Sequence, residues 1–209
     1  AGGWFRNELT GVSDIQGLRF RTPGLGGQVW AKLGASVTNL AAGEIFAALQ
    51  SGTLDAAEFV GPYNDLALGF YQIAKNYYFP SFVEPGLATE LVVDKAKFAE
   101  LPEDLQEIVR VCAQSAYDQV SSDMYANDPR ALNALVSEHG VQVRQFPEEI
   151  VEAGAKASME LMAEVREGGD ALTKETAESF VAAFNLLRTR TKDTDMAYLA
   201  AREKYITFD

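Results

Sequence analysis

Short β-prone runs alternate with helical segments over the first ninety residues of the chain. The predicted strands are residues 18–21, 36–40, 54–60 and 89–93, and the predicted helices are residues 24–32, 44–50 and 64–75. Strands separated by helices of this length are joined by crossover connections, which place neighbouring strands in parallel. The pattern therefore predicts an α/β fold that is built on a largely parallel sheet.

Helices dominate the second half of the chain. Pro102 fits the first turn of a helix, and Pro129 is expected to begin another helix after Asp128 in the same way. Cys112 falls on the apolar stripe of the first of these helices, so we predict that it is a small buried hydrophobe. Apolar and polar residues alternate over residues 141–146, which predicts an edge strand.

The last long segment has an interrupted apolar pattern. It is predicted to begin at a Thr173 cap and to run to about Tyr205, with clear apolar spacing at Phe180 and Phe184. The spacing lapses over residues 189–195 and then resumes. A long helix that is polar in its middle either bridges two bodies through solvent or packs on something outside its own core.

Charge and the rare residue types exclude several classes of protein. The net charge is −12, with 30 acidic and 18 basic residues, and such a balance repels the phosphates of nucleic acids. One cysteine and one histidine cannot supply a disulfide, a thiolate zinc cage or most catalytic triads. The histidine, His139, precedes Gly140 at a predicted helix end, where an exposed capping position is expected.

The chain shows no signal for membrane insertion or secretion. No apolar run approaches the ~20 residues that cross a bilayer. Residues 1–11 lack the basic start and the apolar centre of a secretory signal, and we expect this chain to be part of a longer protein.

Six segments, taken in order, resemble one known family. They are GGWF (2–5), GLRFRTPG (17–24), GEIFAALQSG (43–52), DAAEFVGPYNDLA (55–67), EPG (84–86) and LPEDL (101–105). Together they resemble the DctP-type substrate-binding proteins of tripartite ATP-independent periplasmic (TRAP) transporters, over about the first 125 residues and more loosely beyond. GGWF, GPYND and EPG are most similar to the branch that binds 2-oxo acids such as pyruvate together with a metal cation.

The resemblance implies a periplasmic binding protein-like, type II-like fold of two α/β lobes, of which this chain would lack the N-terminal lobe strands. Residues 1–57 would form part of the second lobe, and residues 58–88 would cross into the first lobe. Residues 89–209 would complete the second lobe and add a long C-terminal helix.

Arg21 is the first candidate site residue. It ends the run LRFR, and at the carboxyl end of a strand it would face a cleft. A guanidinium offers two parallel N–H donors that match a carboxylate. By residue type alone, an exposed arginine is the more common case. The resemblance implies instead that Arg21 binds the substrate carboxylate.

The second candidate is a cation site. The resemblance implies that Glu58 and Glu84 hold Na⁺ or Ca²⁺ together with the backbone carbonyl of Phe59, and hard oxygen ligands suit these ions. Such a cation would also bind a carboxylate oxygen and the keto oxygen of a 2-oxo acid. The alternative is that Glu58 lies at a sheet edge and that Glu84 is a loop carboxylate. The family's remaining side-chain ligand, a Gln, falls two positions before Gly2 and so outside this chain.

Two further residues are expected to face the substrate. Phe59 would supply an aromatic wall, although the 2-oxo acid branch usually has Trp at this position. Asn64 would act as an amide donor, with N-capping of a helix as an equal alternative.

The implied function is that of an extracytoplasmic solute-binding subunit, which is not an enzyme and has no catalytic cofactor. It would capture a small carboxylate in the periplasm and deliver it to the TRAP membrane permease, and it would form a homodimer through the C-terminal helix. The ligand could also be a C4-dicarboxylate, lactate or an aromatic acid. A hydrolase that uses Glu58 and Glu84 as an acid–base pair, and a non-binding structural or dimerising fragment, are alternatives of other classes.

Overall fold

A six-stranded mixed sheet organises the N-terminal part of the chain. The computed structural model describes residues 1–86 and 89–207. The strands are β1 (Gly3–Phe5), β2 (Arg19–Arg21), β3 (Ser36–Thr38), β4 (Ala56–Ala57), β5 (Asn76–Phe79) and β6 (Gln142–Gln145). They lie in the order β3-β2-β4-β1-β5-β6. The predicted α/β fold class is therefore confirmed.

The prediction of a largely parallel sheet is wrong at β1. Strand β2 pairs in parallel with β3 and β4, and β5 pairs in parallel with β6, but β1 runs antiparallel to both β4 and β5. All three residues of β1 are buried, so the run has no alternation of polar and apolar residues that would mark it as a strand.

Helices connect and cover these strands. The α-helices are α1 (Gly24–Lys32), α2 (Ala42–Ser51), α3 (Pro62–Leu68), α4 (Lys95–Ala99), α5 (Glu103–Ser137), α6 (Glu148–Gly168), α7 (Ala171–Thr191) and α8 (Ala197–Tyr205). Short 3₁₀ turns occur at Val12–Ile15 and Phe70–Gln72, and a π-helical segment occurs at Lys192–Met196. Within the described ranges, no helix has both the length and the hydropathy needed to cross a membrane.

Aromatic side chains cover both faces of the sheet. Trp4 and Phe5 are adjacent in β1 and therefore point to opposite faces. Trp4 stacks on Tyr77 with ring centroids 3.9 Å apart, whereas Phe5 packs against Phe20 at 5.3 Å. Trp30 of α1 meets Phe20 edge-on at 4.9 Å. Strand β1 is thus buried on both faces of the sheet. This packing fixes the positions of its neighbours β4 and β5.

Two predictions of regular or buried structure are wrong near α5. Residues 89–93 form no strand, and Leu91 and Val92 are largely exposed, since β-forming residues make a strand only where a partner edge is available. Cys112 is exposed and not buried, because an apolar stripe on a helix shows which side is apolar but not whether another element covers it.

Two helix boundaries also differ from the predictions. Pro129 does not begin a new helix but lies inside the 35-residue α5. The helix predicted over residues 64–75 is divided, because Gly69 adopts a left-handed conformation with φ of 73° that ends α3. Beyond α5, His139 is half-buried and stacks on Tyr71 with ring centroids 4.1 Å apart, so the expected exposed position is wrong.

The chain divides into two compact units, Ala1–Ala157 and Ser158–Asp209. In the second unit, Asp170 and not Thr173 caps α7, because its side chain accepts a 2.8 Å hydrogen bond from the Thr173 amide. The π-helical segment Lys192–Met196 overlaps the lapse in apolar spacing predicted over residues 189–195. The lobe assignments made from the resemblance stay predictions, and their boundary at residue 88 lies outside the described residues.

Candidate anion- and cation-binding site

The carboxyl ends of β2 and β4 bring two of the predicted site residues together. The two strands are parallel neighbours in which Arg21 is opposite Ala57, and Glu58 follows directly. The Glu58 amide donates a 2.8 Å hydrogen bond to the Arg21 carbonyl. Side chains at this edge of an α/β sheet face the position where ligands commonly bind.

Arg21 is a buried guanidinium that is held by backbone oxygens. It is only 7% exposed, and it donates from Nε to the Leu40 carbonyl at 3.1 Å and from Nη1 to the Glu58 carbonyl at 2.6 Å. Its Cζ lies 5.7 Å from the centre of the Phe59 ring. A guanidinium has five N–H donors. In the part of the chain that the structure describes, two of them have partners, so three remain to bind an anion.

Glu58 is a buried carboxyl group with a strongly raised pKa. It is 7% exposed, and burial, followed by the negative charge of Glu84, raises its pKa to about 7. The positive charge of Arg21 acts in the opposite direction. Burial also lowers the pKa of Arg21, while the charges of Glu58 and Glu84 raise it. These three residues therefore form one electrostatic cluster.

Glu84 reaches this cluster from a loop. Its amide donates a 3.0 Å hydrogen bond to Ser81 Oγ, and its carboxylate is exposed. A Cβ atom on Gly26 would lie 3.3 Å from Glu84 Oε1, so the carboxylate lies against the first turn of α1. The missing side chain at Gly26 leaves room for this approach.

The oxygen donors of Glu58 and Glu84 fit a hard cation such as Na⁺ or Ca²⁺. Among residues 1–86 and 89–207, no group of three or more His, Cys, Asp or Glu side chains is arranged to hold a metal ion. The fit therefore rests on the carboxylate pair. Burial and the charge of Glu84 both disfavour the ionised form of Glu58, and a bound cation would favour it.

Asn64 is placed on α3 but does not cap it. Gly61 is the N-cap residue, so the N-capping alternative for Asn64 is wrong. Its Oδ1 atom is buried without a hydrogen-bond partner among the described residues. Rotation of the amide would present the Nδ2 donor at the same place, so Asn64 keeps an unused polar group.

Sequence reasoning missed a buried carboxylate beside the cluster. Asp65 is 0% exposed, and its Oδ2 accepts 2.8 Å hydrogen bonds from Trp4 Nε1 and Tyr77 Oη. Its Oδ1 accepts a 3.3 Å hydrogen bond from the Val60 amide. An acidic residue in the first turn of a helix is ordinary, so its position in the GPYND segment gave no sign of these long-range partners.

An apolar recess of about 490 Å³ lies elsewhere, between α5 and residues 89–91. Its lining includes Leu91, Val109 and Tyr117 and none of the predicted site residues. The candidate site and this recess therefore share no lining residue.

The guanidinium of Arg21 and the carboxyl group of Glu58 lie at the strand ends of an α/β sheet, with Glu84 on a nearby loop, and this is an arrangement expected of a solute-binding protein. The comparison with known families agrees: residues 2–168 match the model of the bacterial extracellular solute-binding proteins, family 7, also named DctP. The chain belongs to this family. The predicted family is therefore confirmed, and its name describes binding and not catalysis.

Similar proteins bind 2-oxo acids. The chain is 38% identical over 181 residues to a monocarboxylate 2-oxoacid-binding periplasmic protein of Nostoc sp. PCC 7120. The matched region covers 87% of this chain and 49% of that protein. A TRAP periplasmic solute-binding protein of Pseudoalteromonas atlantica, solved with bound sodium and pyruvate, is 41% identical. Its TM-score is 0.87, over 96% of this chain and 60% of that one.

A second solved TRAP protein, from Colwellia psychrerythraea, contains calcium and pyruvate. It is also 41% identical with a TM-score of 0.87, over 95% of this chain and 60% of that one. This chain thus spans about half the length of the curated relative and three fifths of the solved ones.

Proposed function

We propose that the protein containing this chain captures a small 2-oxo acid such as pyruvate, together with Na⁺ or Ca²⁺. In this proposal it delivers the solute to the membrane subunits of a TRAP transporter and makes or breaks no covalent bond. The observation that carries the proposal is the buried guanidinium of Arg21, which retains three unused N–H donors in the described part of the chain.

The unused donors favour a carboxylate as the ligand. Burying a positive charge is costly unless an anion or hydrogen bonds compensate for it. The two backbone carbonyls orient the guanidinium, and Phe59 lies beside it. Two parallel N–H groups and a carboxylate make charge-assisted hydrogen bonds that fix the direction of the ligand.

The charges of the cluster favour a cation as the second component. A bound carboxylate adds a negative charge beside the carboxyl groups of Glu58 and Glu84, and Arg21 alone cannot balance all three when Glu58 is ionised. A cation held by Glu58, Glu84 and the Phe59 carbonyl would restore the balance. It would also bind the keto oxygen of a 2-oxo acid, which acetate lacks.

The family and the relatives support the proposed location and the remaining partners. We place the protein in the periplasm, where residues 58–88 would cross into a first lobe and the ligand would lie between two lobes. Asn64, with its unused polar group, would face the ligand from this crossing segment.

Calorimetric titration of the native protein with pyruvate, with and without Ca²⁺, tests the proposal. We expect binding that tightens when Ca²⁺ is present and that is weaker for acetate, which offers the same carboxylate without the keto oxygen. Equal affinity for acetate and pyruvate, or no binding of either, would contradict it. Succinate, lactate and benzoate serve as competitors that identify another carboxylate class.

We also propose that the C-terminal helices mediate a homodimer. Phe180 and Phe184 on α7 are 56% and 55% exposed in the described chain, and Leu187 is 57% exposed. An exposed apolar patch of this kind marks an interaction surface. Sedimentation velocity should show a dimer for the native protein and a monomer for Phe184→Asp. A native protein that stays monomeric at high concentration would contradict this assignment.

A further inference from the structure

We infer that Asp65 is a positioning residue for the anion site, which it serves by fixing the backbone between Glu58 and Val60. This inference rests on the proposed function, because it concerns the affinity of the same site. Among the described residues Asp65 makes no hydrogen bond to Arg21 or Glu84, and it acts through the Glu58–Val60 segment, to which Arg21 is bonded.

The segment from Glu58 to Val60 carries several components of the site. Glu58 contributes its carboxylate and the carbonyl that accepts from Arg21 Nη1, and Phe59 contributes its ring. The segment belongs to no strand or helix, since β4 ends at Ala57 and α3 begins at Pro62. Its position therefore depends on hydrogen bonds from outside regular structure.

Asp65 supplies such a bond from the interior. Its Oδ1 accepts from the Val60 amide at 3.3 Å, while Trp4 Nε1 and Tyr77 Oη both donate to Oδ2 at 2.8 Å. Trp4 and Tyr77 are stacked in the core and are both 0% exposed. The Asp65 carboxylate therefore links the irregular segment beside Arg21 to two rigidly packed side chains of the core.

The chemistry of the three donors requires a carboxylate. A carboxylate accepts from all three; burial raises the pKa of Asp65, and these hydrogen bonds act in the opposite direction. An amide of the same shape has only one acceptor oxygen. In Asp65→Asn, the NH₂ group would therefore face either the Val60 amide or the donors from Trp4 and Tyr77.

Asp128 of α5 offers a matched comparison, because it bonds to the backbone of α3 just beyond this segment. Its Oδ1 accepts a single 2.9 Å hydrogen bond from the Tyr63 amide. The amide oxygen in Asp128→Asn can still accept this bond. The variant therefore makes the same change of charge without placing an NH₂ group against another N–H donor. Ile150→Ala, at a fully buried position on α6, serves as a control for lost stability alone.

The test is the affinity of the native protein and these variants for pyruvate with Ca²⁺, measured by calorimetry. We expect Asp65→Asn to weaken binding by roughly 10–100-fold, as is typical for residues that orient ligating groups. Asp128→Asn and Ile150→Ala should bind as the native protein does. Native affinity in Asp65→Asn, or an equal loss in Ile150→Ala, would overturn the inference.

A readout without ligand separates this inference from the proposed function. In NMR spectra of the ligand-free protein, Asp65→Asn should speed exchange of the Val60 amide and change the Arg21 side-chain N–H signals. Unchanged Arg21 signals would overturn the positioning role even if binding fell. If the native protein binds neither pyruvate nor Ca²⁺, the proposed function fails, and the Arg21 signals still decide the role of Asp65.

Discussion

Arg21 and Glu58 are joined by a hydrogen bond to the backbone and not by an ion pair between their side chains. Arg21 Nη1 donates a 2.6 Å hydrogen bond to the main-chain carbonyl of Glu58, so the Glu58 carboxylate remains available for another partner. A direct ion pair would have neutralised both groups. The observed arrangement leaves a guanidinium that can bind an anion beside a carboxyl group that can ionise to bind a cation.

Arg21→Lys should weaken pyruvate binding by about tenfold or more. A lysine ammonium cannot reproduce the planar fork, and a hydrogen bond to a charged group contributes ~1.5–3 kcal/mol. Arg19→Lys is the matched control, because Arg19 lies on the same strand and its half-exposed side chain pairs with Asp55. Calorimetry that finds equal losses in the two variants would remove Arg21 from the site.

The folding stability of the ligand-free protein should depend on pH through Glu58. Because burial and the charge of Glu84 raise its pKa from 4.5 to about 7, folding favours the protonated form. The resulting stabilisation is fully present below pH 4.5 and is lost as the pH rises through 7. The shift corresponds to about 3 kcal/mol.

Urea unfolding of the native protein and Glu58→Gln at several pH values measures this effect. The difference between their unfolding free energies should change between pH 5 and pH 8, in favour of the variant at the higher pH. Glu160→Gln removes an exposed carboxylate on α6 and should show no such change. Parallel curves for the native protein and Glu58→Gln would contradict the raised pKa.

Glu84→Gln should weaken the effect of Ca²⁺ on pyruvate affinity without a large change in stability. The Glu84 carboxylate is exposed, so its loss leaves the core intact, whereas a cation loses one of its charged ligands. We expect the Ca²⁺-dependent gain in affinity to fall by about tenfold, or ~1.4 kcal/mol. A gain equal to that of the native protein would show that Glu84 does not hold the cation.

Gly27→Ala should destabilise the protein by about 1–3 kcal/mol, because an added Cβ meets backbone in a packed region. It would lie 2.7 Å from the Thr22 carbonyl, next to Arg21. Gly43→Ala, in α2, meets no atom within 4 Å and should instead stabilise by about 0.4–1 kcal/mol. Thermal unfolding measures both changes in stability. An unchanged stability in Gly27→Ala would show that the backbone at Thr22 can shift at little cost.

Local sequence determined the elements that carry the site. Strand β2 and helix α1 form within residues 18–21 and 24–32 as predicted, since these local patterns depend on neighbouring residues alone. The resemblance of GGWF and GPYND to the DctP family was correct for the same reason, because the motifs are contiguous. The convergence of Arg21 and Glu58 then followed from two parallel strands ending at one edge.

Tertiary structure decided what depends on distant partners. The short, fully buried β1 could not be placed from its three residues, because only its neighbours β4 and β5 make it antiparallel. The exposure of Cys112 and the three donors to Asp65 likewise depend on elements far along the chain. A sequence pattern shows which groups seek burial or hydrogen bonds, and the folded chain determines which partners satisfy them.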